Sequence, residues 1–346
     1  MRNLTKRLLA LALSLLFAAG GALPANAQQT GDSPVDQLLE LTKHRAFTIT
    51  GLMTVFGTIG DNEDIGGTRG FAVPHARLGV GGELDDGFHY RFQFDLARDP
   101  VLLDAYLGYR FSEGFNIRAG AQKPQISAEF IPTPAGIDFI GRARLVDANF
   151  RVREIGVNFF GGRGSLRYDV GIWNGTGLAA TNADNRFMVT GRLANEFSAT
   201  EGVSLLGGLN VAYGHCASGQ CGVPGLPPVD RHRSLGVDLR YESDRWIAAG
   251  EVLATTADVV PVALDDDRLL GWHLTGGYKT SPETRLLVRW DRLERREVDL
   301  VTEDILLMGL NHDVSRLLAL RFNLQYLLHD PADNELRFAG ALQFAF

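Results

Sequence analysis

The sequence predicts an all-β fold: a 16-stranded antiparallel transmembrane β-barrel with short periplasmic turns, longer external loops and an inward-folded third loop. Three observations predict it: short runs of alternating apolar and polar residues, connections that alternate between tight and long, and a final run that ends in phenylalanine. The 346 residues include 40 glycines and 20 phenylalanines but only 4 methionines, which suits a glycine-jointed β protein. The hydrophobic fraction of 45% is ordinary and does not by itself indicate a membrane protein.

The N-terminus has the organisation of an export signal. A positively charged start precedes an apolar run at residues 8–19, and residues 25–27 form an A-x-A cleavage pattern. An N-terminal membrane anchor is the alternative, but this run is too short to cross a hydrocarbon core of about 30 Å. We therefore expect a signal peptide over residues 1–27, cleaved near Ala27, and a mature protein that is secreted, periplasmic or in the outer membrane. The predicted barrel favours the outer membrane of a Gram-negative type of cell.

Residues 28–46 are expected to form a short periplasmic segment. Within it, Ser33 can cap a helix that has Pro34 at its first position and Asp36 three residues after the cap. This arrangement predicts a helix of about three turns. A flexible tether is the alternative.

From Phe47 onward the hydrophobic period changes to two, which is typical of strands with one apolar and one polar face. Residues 88–96, 166–173 and 321–328 show the pattern most clearly. An even number of strands lets a closed antiparallel sheet bring both of its ends to the same side. We therefore place the barrel domain at residues 47–346, with fourteen or eighteen strands as alternatives. The sixteen candidate runs begin near residues 47, 75, 88, 101, 115, 151, 164, 186, 203, 232, 245, 269, 283, 303, 316 and 336.

The connections separate into two classes of length. Tight turns are predicted at residues 85–87, 112–114, 161–163, 242–244 and 280–282. Longer loops are predicted at residues 58–74, 123–150, 175–185, 215–231 and 256–268, with 97–100 as a short exception on the long side. Short periplasmic turns that alternate with long external loops are expected of outer-membrane barrels.

The apolar face of these strands is expected to contact lipid, because a barrel of sixteen strands is wide enough for an aqueous channel. A soluble barrel with an apolar interior is the alternative. Aromatic residues near the strand ends suit the two membrane interfaces; they are Phe88, Tyr109, Phe111, Phe160, Trp173, Trp246, Trp272 and Trp290.

The opposite face would line the lumen, and it carries more arginines than acids. Rings of arginine favour anions in a pore, and low-dielectric walls focus their field. The alternative is that the arginines pair with neighbouring acids and mainly stiffen the wall. The predicted wall arginines are Arg77, Arg91, Arg110, Arg118, Arg167, Arg192, Arg240, Arg285, Arg289 and Arg321.

The long connection at residues 123–150 interrupts the alternation and combines charged with apolar residues, which argues against disorder. We expect it to fold into the barrel, with apolar residues such as Phe130 and Phe139 against the wall. The predicted pore constriction consists of Lys123, Glu129, Arg142 and Arg144, whose charges would face the remaining opening.

Two cysteines, Cys216 and Cys221, lie in a proline-rich loop near His215 and His232. In an oxidising compartment this spacing favours a disulfide that stiffens an external loop. A Cys/His metal site is the alternative. No G-x-S-x-G or H-E-x-x-H motif and no nucleic-acid motif occurs, so we expect neither an enzyme nor a cofactor.

Residues 115–144 resemble the phosphate-selective porin O and P family. The matching residues are Gly120, Lys123, Pro124, Glu129, Phe139, Ile140 and Arg142, and the chain departs from the family pattern at Gly141, where glutamate is usual. The resemblance implies a trimeric, sixteen-stranded outer-membrane channel whose third loop forms the constriction. Family members that select phosphate use arginines and clustered lysines, whereas this barrel has only Lys123 and Lys279.

The sequence therefore predicts a porin for small polar solutes that prefers anions, with phosphate as one solute. A non-selective porin and a structural or surface-interaction barrel are the alternatives. The expected partners are outer-membrane lipid, small anions, two further copies in a homotrimer, and the barrel-assembly machinery. The last would recognise the C-terminal strand that ends at Phe346, since such an ending resembles its recognition signal.

Overall fold

The computed structural model describes residues 43–60, 70–150, 153–178, 182, 185–197, 202–215, 229–259, 267–295, 301–330 and 334–346. The expected signal peptide, most of segment 28–46 and the pair Cys216 and Cys221 lie outside these residues. At the start of the described chain, the two-residue strand β1 (Lys43–His44) pairs with Phe47 and Thr48. The helix predicted within residues 28–46 therefore does not extend to residue 43.

Sixteen strands form one closed antiparallel barrel, which confirms the predicted fold class and strand number. Each strand pairs with its neighbour in sequence, and the last strand pairs with the first of the sixteen. The strands are β2 (Phe47–Gly60), β3 (Gly70–Glu83), β4 (Phe88–Asp95), β5 (Leu102–Arg110), β6 (Asn116–Gln122), β7 (Glu154–Arg163), β8 (Leu166–Trp173), β9 (Met188–Glu196), β10 (Ser204–His215), β11 (Val229–Glu242), β12 (Trp246–Val259), β13 (Asp267–Lys279), β14 (Thr284–Arg295), β15 (Val301–Asp313), β16 (Leu318–Asp330) and β17 (Glu335–Ala345).

The two kinds of connection lie at opposite ends of the barrel. A 3₁₀ turn at Asp85–Gly87 joins β3 to β4, and similarly short turns join every second pair of strands. Strand β7 extends through the turn predicted at residues 161–163, so the reversal occurs at Gly164, whose φ of 61° favours glycine. In outer-membrane barrels the end with short turns is periplasmic and the other end is external.

The outer surface of the barrel is apolar, as expected for contact with lipid. Leu78, Phe92, Leu107, Leu235 and Leu274 are among its exposed side chains, each between 45% and 62% exposed. Among the described residues, no helix is long and apolar enough to cross a membrane.

Several aromatic residues differ from their predicted place at the membrane interfaces. Trp173 is fully buried and donates a hydrogen bond from Nε1 to Thr190 Oγ1 at 2.8 Å. Phe160 lies on the inner face, 4.7 Å from the guanidinium of Arg118. Strand alternation accounts for both, because each residue has the parity of the polar face. Trp272 and Trp290 do face outward but lie within their strands, where their rings pack edge to face at 4.9 Å.

The interior is not polar throughout, which corrects the expected wet lumen. Inward-facing Ile247, Leu287, Ile305, Leu307 and Leu327 form a buried cluster with Phe139 of the long connection. The strands on that side of the barrel therefore carry apolar as well as polar side chains on their inner face. Phe139 belongs to the segment that fills this half.

Candidate functional site

The segment between β6 and β7, called loop 3 here, folds into the barrel. It contains one short helix, α1 (Arg144–Asn149), which packs against β12, β13 and β14. Its contacts reach wall residues from β10 to β17, where Gln343 Nε2 donates to the carbonyl of Pro134 at 3.3 Å. The loop therefore covers one half of the inner wall and leaves β3 to β9 facing the remaining opening.

The descending limb of loop 3 is attached to the wall through buried polar groups. The backbone N–H of Ser127 donates to Asn210 Oδ1 at 3.0 Å, and that of Glu129 donates to Glu251 Oε2 at 3.1 Å. Arg289, which is 1% exposed, donates from Nη1 to Glu129 Oε1 at 2.8 Å. Buried charge-assisted hydrogen bonds of this kind are costly to break, since each leaves an unpaired charge behind.

The tip of loop 3 reaches the periplasmic third of the barrel. Asp138 pairs with Arg240 at 2.8 Å, and its carbonyl accepts from Asn311 Nδ2 at 2.7 Å. Arg321 donates to the carbonyls of Pro134, Ala135 and Ile137. Arg240 lies two residues from the end of β11, so the loop descends almost the full height of the wall.

The carboxyl group of Asp138 is held ionised by this anchor. Burial acts to raise its pKa, but the hydrogen bond and the positive charge of Arg240 outweigh burial and lower the pKa below its ordinary value of 3.8. The anchor thus has its ionised form at neutral pH.

The returning limb of loop 3 is attached on the other side of the covered half. The N–H of Arg144 donates to Asp291 Oδ2 at 2.9 Å, and its Nε donates to Glu303 Oε2 at 2.6 Å.

Between the limbs, apolar side chains are buried against the wall, which agrees with the expected packing of Phe130 and Phe139. The cluster contains Ile126, Phe130, Ala143, Leu145, Val146 and Phe150 with Ala212 and Leu253 of the wall.

The four residues of the predicted constriction have structural partners. Lys123 Nζ donates to the carbonyls of Phe130, Ile131 and Pro132, at 2.8 to 3.3 Å. Burial, and then the charge of Arg142, lower the pKa of Lys123 well below its ordinary range. The three hydrogen bonds direct Nζ of Lys123 towards the backbone of loop 3.

Glu129 is likewise turned away from the opening, because it is buried against Arg289. Arg142 donates to the carbonyls of Glu129 and Pro132 and thereby bridges the two limbs of loop 3. Arg142 and Arg144 stay partly exposed. For all four residues a role at the constriction remains a prediction, although the charged groups of Lys123 and Glu129 contact partners in loop 3 and the wall.

The opening lies between loop 3 and the wall formed by β3 to β9. A cavity of about 750 Å³ occupies its periplasmic part, with Gln125 and Ile131 of the loop on one side. The opposite side carries four of the predicted wall arginines, together with the acids Glu83, Glu113 and Asp169. These arginines are Arg110, Arg118, Arg167 and Arg192.

The arginines around this cavity are held in place by neighbouring groups. Arg110 pairs with Glu83 at 2.5 Å, and Arg118 donates to Asn158 at 2.9 Å and lies 3.5 Å from Asp169. Arg192 pairs with Asp238 at 2.5 Å. Arg167 is exposed and donates to the carbonyl of Gly164.

Nearer the external end, a second group of arginines surrounds two aspartates. Arg77 and Arg98 pair with Asp95, at 2.8 and 3.7 Å. Arg91 and Arg153 pair with Asp104, at 3.4 and 2.6 Å. Sequence alternation could not find Arg153, because it lies outside a strand at the end of loop 3. Four arginines against two aspartates leave this group with two net positive charges.

The wall beneath loop 3 carries charges of both signs. Asp238, Glu251, Asp291 and Glu335 are at most 6% exposed there, and Glu303 is paired with Arg144. The four remaining predicted wall arginines also lie on this half. Arg240, Arg289 and Arg321 hold loop 3, and Arg285 pairs with Asp313 at 3.5 Å.

Within the part of the chain that the structure describes, no three His, Cys, Asp or Glu side chains are placed to hold a metal ion. The alternatives of a disulfide or a metal at Cys216 and Cys221 fall outside that part.

The fold is similar to that of solved outer-membrane proteins at low sequence identity. The anion-selective porin from Comamonas acidovorans matches with a TM-score of 0.65 and 13% identity, over 87% of this chain and 99% of that one. OprB of Pseudomonas putida matches with 0.65 and 13%, over 94% and 100%. The trimer form of OmpT of Vibrio cholerae matches with 0.66 and 11%, over 87% and 100%. At these identities the likeness shows the fold alone.

No curated protein sequence matches the chain. The sequence model of one family does match, over residues 54–212, which include loop 3 and the basic wall opposite it. This match confirms the resemblance found at residues 115–144, and the closed sixteen-strand barrel is the architecture that the resemblance implied. The chain is an outer-membrane porin, and its residues 54–212 match the phosphate-selective porin O and P family.

Proposed function

We propose that this porin conducts small polar solutes with a preference for anions, and that phosphate is one of them. One observation carries the proposal: loop 3 covers four of the ten predicted wall arginines and leaves the other six on the wall that faces the opening. The net charge of −7 for the whole chain does not describe the field in the channel, because the acids of the covered half are buried beneath the loop.

The physical basis is the focusing of charge by a low-dielectric wall. Paired arginines still attract anions when they outnumber their acidic partners, as they do around Asp95 and Asp104. A guanidinium group also binds the oxygen atoms of phosphate in a two-pronged geometry. The description of the matching family and the anion-selective neighbour support this preference without establishing it for this chain.

A second candidate is a porin without ion preference. It is favoured by the number of ion pairs, because Arg110, Arg118 and Arg192 of the opening each lie within 4 Å of a carboxylate. If the pairs neutralise the wall fully, the arginines act mainly as rigid struts. The two candidates make different predictions for the reversal potential.

The deciding measurement is the reversal potential of single channels in a planar bilayer, with potassium chloride at two different concentrations on the two sides. We expect a reversal potential whose sign shows that chloride permeates more readily than potassium. We also expect phosphate, when added, to block the chloride current. A reversal potential near zero would support the non-selective porin. A potential of the sign set by potassium would contradict the proposed role of the arginine wall.

We further infer that the barrel assembles as a homotrimer, supported by the trimer form of the OmpT neighbour. An outer-membrane location requires export. A signal peptide cleaved near Ala27 would provide it and would leave residues 28–46 in the periplasm. Recognition of the last strand by the barrel-assembly machinery belongs to the same proposal. Residues 216 and 221 would then form their disulfide in the oxidising compartment outside the inner membrane.

A further inference from the structure

Beneath loop 3, one row of ionisable side chains crosses four neighbouring strands of the inner wall. In register, Asp238 of β11 lies beside Glu251 of β12, which in turn lies beside His273 of β13. Asp291 of β14 follows on the other side of His273. All four side chains are between 1% and 6% exposed. Neighbouring strands are about 4.8 Å apart, so each member of the row stands next to the following one.

Loop 3 is anchored through its backbone to two acids of this row. The N–H of Glu129 donates to Glu251 Oε2 at 3.1 Å, and the N–H of Arg144 donates to Asp291 Oδ2 at 2.9 Å. The side chain of Ser127 also contacts Glu251. The second oxygen of each carboxyl group, Glu251 Oε1 and Asp291 Oδ1, is buried without a hydrogen-bond partner among the described residues. Both limbs of loop 3 therefore depend on carboxyl groups that are closed off from solvent.

The cations that face the row from neighbouring elements are paired with other acids, at 2.8 Å or less. These pairs are Arg192 with Asp238, Arg289 with Glu129, Arg144 with Glu303 and Arg240 with Asp138. The charge of Arg289 also acts on Asp291, but the same guanidinium already balances Glu129. Within the described chain, neither Glu251 nor Asp291 forms an ion pair. The surroundings of the row thus contain two carboxyl groups more than cations.

His273, which stands between these two acids, does not supply the missing positive charge. Its Nδ1 lies 3.4 Å from Thr275 Oγ1, and the same hydroxyl oxygen accepts a hydrogen bond from Arg289 Nε at 2.9 Å. A hydroxyl group that accepts from Arg289 can donate its own proton to Nδ1, which suits a neutral imidazole. The nearby guanidinium also opposes a second positive charge on the ring.

A carboxyl group in this position is more stable with a proton than without one. Burying an ionised carboxyl group without a counter-charge is very costly, so the group takes up a proton instead. An ionised Glu251 would also be repelled by the negative charges of Asp238 and Glu129, and an ionised Asp291 by that of Glu129. A neutral carboxyl group avoids both penalties and still accepts the backbone N–H of loop 3.

We propose that Glu251 and Asp291 are positioning residues that hold loop 3 against the wall only while each carries a proton. Loss of these protons in alkaline solution places up to two additional negative charges beneath the loop and releases it. Docking is therefore complete at acidic pH and is lost as the pH rises. Because a docked loop narrows the opening, its release widens the channel. This device concerns the position of loop 3 and is independent of the ion preference.

The first test measures single-channel conductance of the full mature protein from about pH 5 to about pH 9, the range between an ordinary and a deeply buried carboxyl group. We expect a steady conductance of the wild type at acidic pH and a larger, noisier one at alkaline pH. The double variant Glu251→Gln/Asp291→Asn keeps an oxygen acceptor for each N–H but cannot ionise. It should lose the pH response.

The matched control is Asp304→Asn, which neutralises an acid on the lipid-facing side of β15. Asp304 pairs there with Arg292 at 3.1 Å and has no contact with loop 3. This variant should keep the pH response of the wild type. A response that persists in the double variant, or that disappears in Asp304→Asn as well, would assign it to another group and overturn the proposal.

A second readout observes the protons directly. Infrared spectroscopy distinguishes the C=O band of a neutral carboxyl group from the bands of a carboxylate, and heat-modified migration on gels verifies that each variant is folded. At neutral pH the double variant should show a weaker band of neutral carboxyl groups than the wild type and Asp304→Asn. Equal bands in all three proteins would mean that Glu251 and Asp291 are ionised. A wild type whose conductance is the same at every pH would contradict the release of loop 3.

Discussion

At the level of single residues, the opening is controlled by arginines that have neighbours on several sides. Arg118 is the clearest case: its guanidinium lies over the rings of Phe160 and Tyr106 at 4.7 and 5.6 Å, and it donates to Asn158. These contacts hold the charge in one position opposite Ile131 of loop 3, with which it lines the same cavity. A fixed charge at a narrow place affects ions more than a mobile one.

Replacing Arg118 with glutamine should therefore shift ion preference towards cations, because Asp169 at 3.5 Å would lose its cationic partner. The reversal potential in a potassium chloride gradient measures the shift. Arg292→Gln removes the same charge from the outer surface and should leave the potential unchanged. If both variants give the wild-type potential, the solutes do not pass beside Arg118.

For the two aromatic residues that were predicted at the wrong place, alternation along the strand already indicated the inner face. Phe160 follows Phe159, and Trp173 follows Ile172, so each second residue of these pairs points inward. Their aromatic character had suggested the membrane interface. Strand alternation takes precedence over residue type, because a side chain cannot change faces without a change of register.

At the level of elements, the sequence predicted the strands, but it predicted the docking of loop 3 only in part. All sixteen strands begin within five residues of their predicted starts, since alternation is a local signal. The covered half also had a signal, in consecutive apolar residues such as Leu286–Leu287–Val288, which place an apolar side chain on each face of β14. Which wall groups hold the loop depends on contacts across more than a hundred residues, such as Arg240 with Asp138.

Phe139 is the apolar residue that fixes the tip of loop 3 most directly. It is fully buried among five wall side chains and lies 4.5 Å from the guanidinium of Arg289. Phe139→Ala should weaken docking of the loop by about 3 to 5 kcal/mol, as expected for a deeply buried phenylalanine. We therefore expect larger and noisier single-channel conductance.

The matched control for that experiment is Phe92→Ala on the lipid-facing surface, where the side chain is 45% exposed. This variant should keep the wild-type conductance. Unchanged conductance in Phe139→Ala, with correct folding shown by gel migration, would mean that loop 3 is held by its polar anchors alone.

At the level of the whole molecule, closure of the barrel depends on its last residue. Phe346 exchanges two backbone hydrogen bonds with Gly51, at 3.0 and 3.1 Å. Its ring also lies against Gly51, so a larger side chain at residue 51 would require the ring to move. Phe346 thereby completes the seam between β17 and β2.

Deletion of Phe346 should remove both hydrogen bonds, at about 1 kcal/mol each, and lower the yield of folded barrel. If the barrel-assembly machinery also recognises this residue, assembly in cells should fall further than refolding into detergent micelles. Heat-modified migration on gels measures both yields. Equal losses in the two experiments would assign Phe346 a purely structural role, and no loss in cells would contradict its recognition.

The sequence by itself determined the barrel, its strand number, the inner and outer faces of most strands and the segment that enters the lumen. These follow from hydrophobic periodicity and connection length, which are properties of neighbouring residues. Only the tertiary structure decided which half of the inner wall loop 3 covers and which groups Lys123 and Glu129 contact. These depend on register between strands and on contacts between distant segments, which no local pattern encodes.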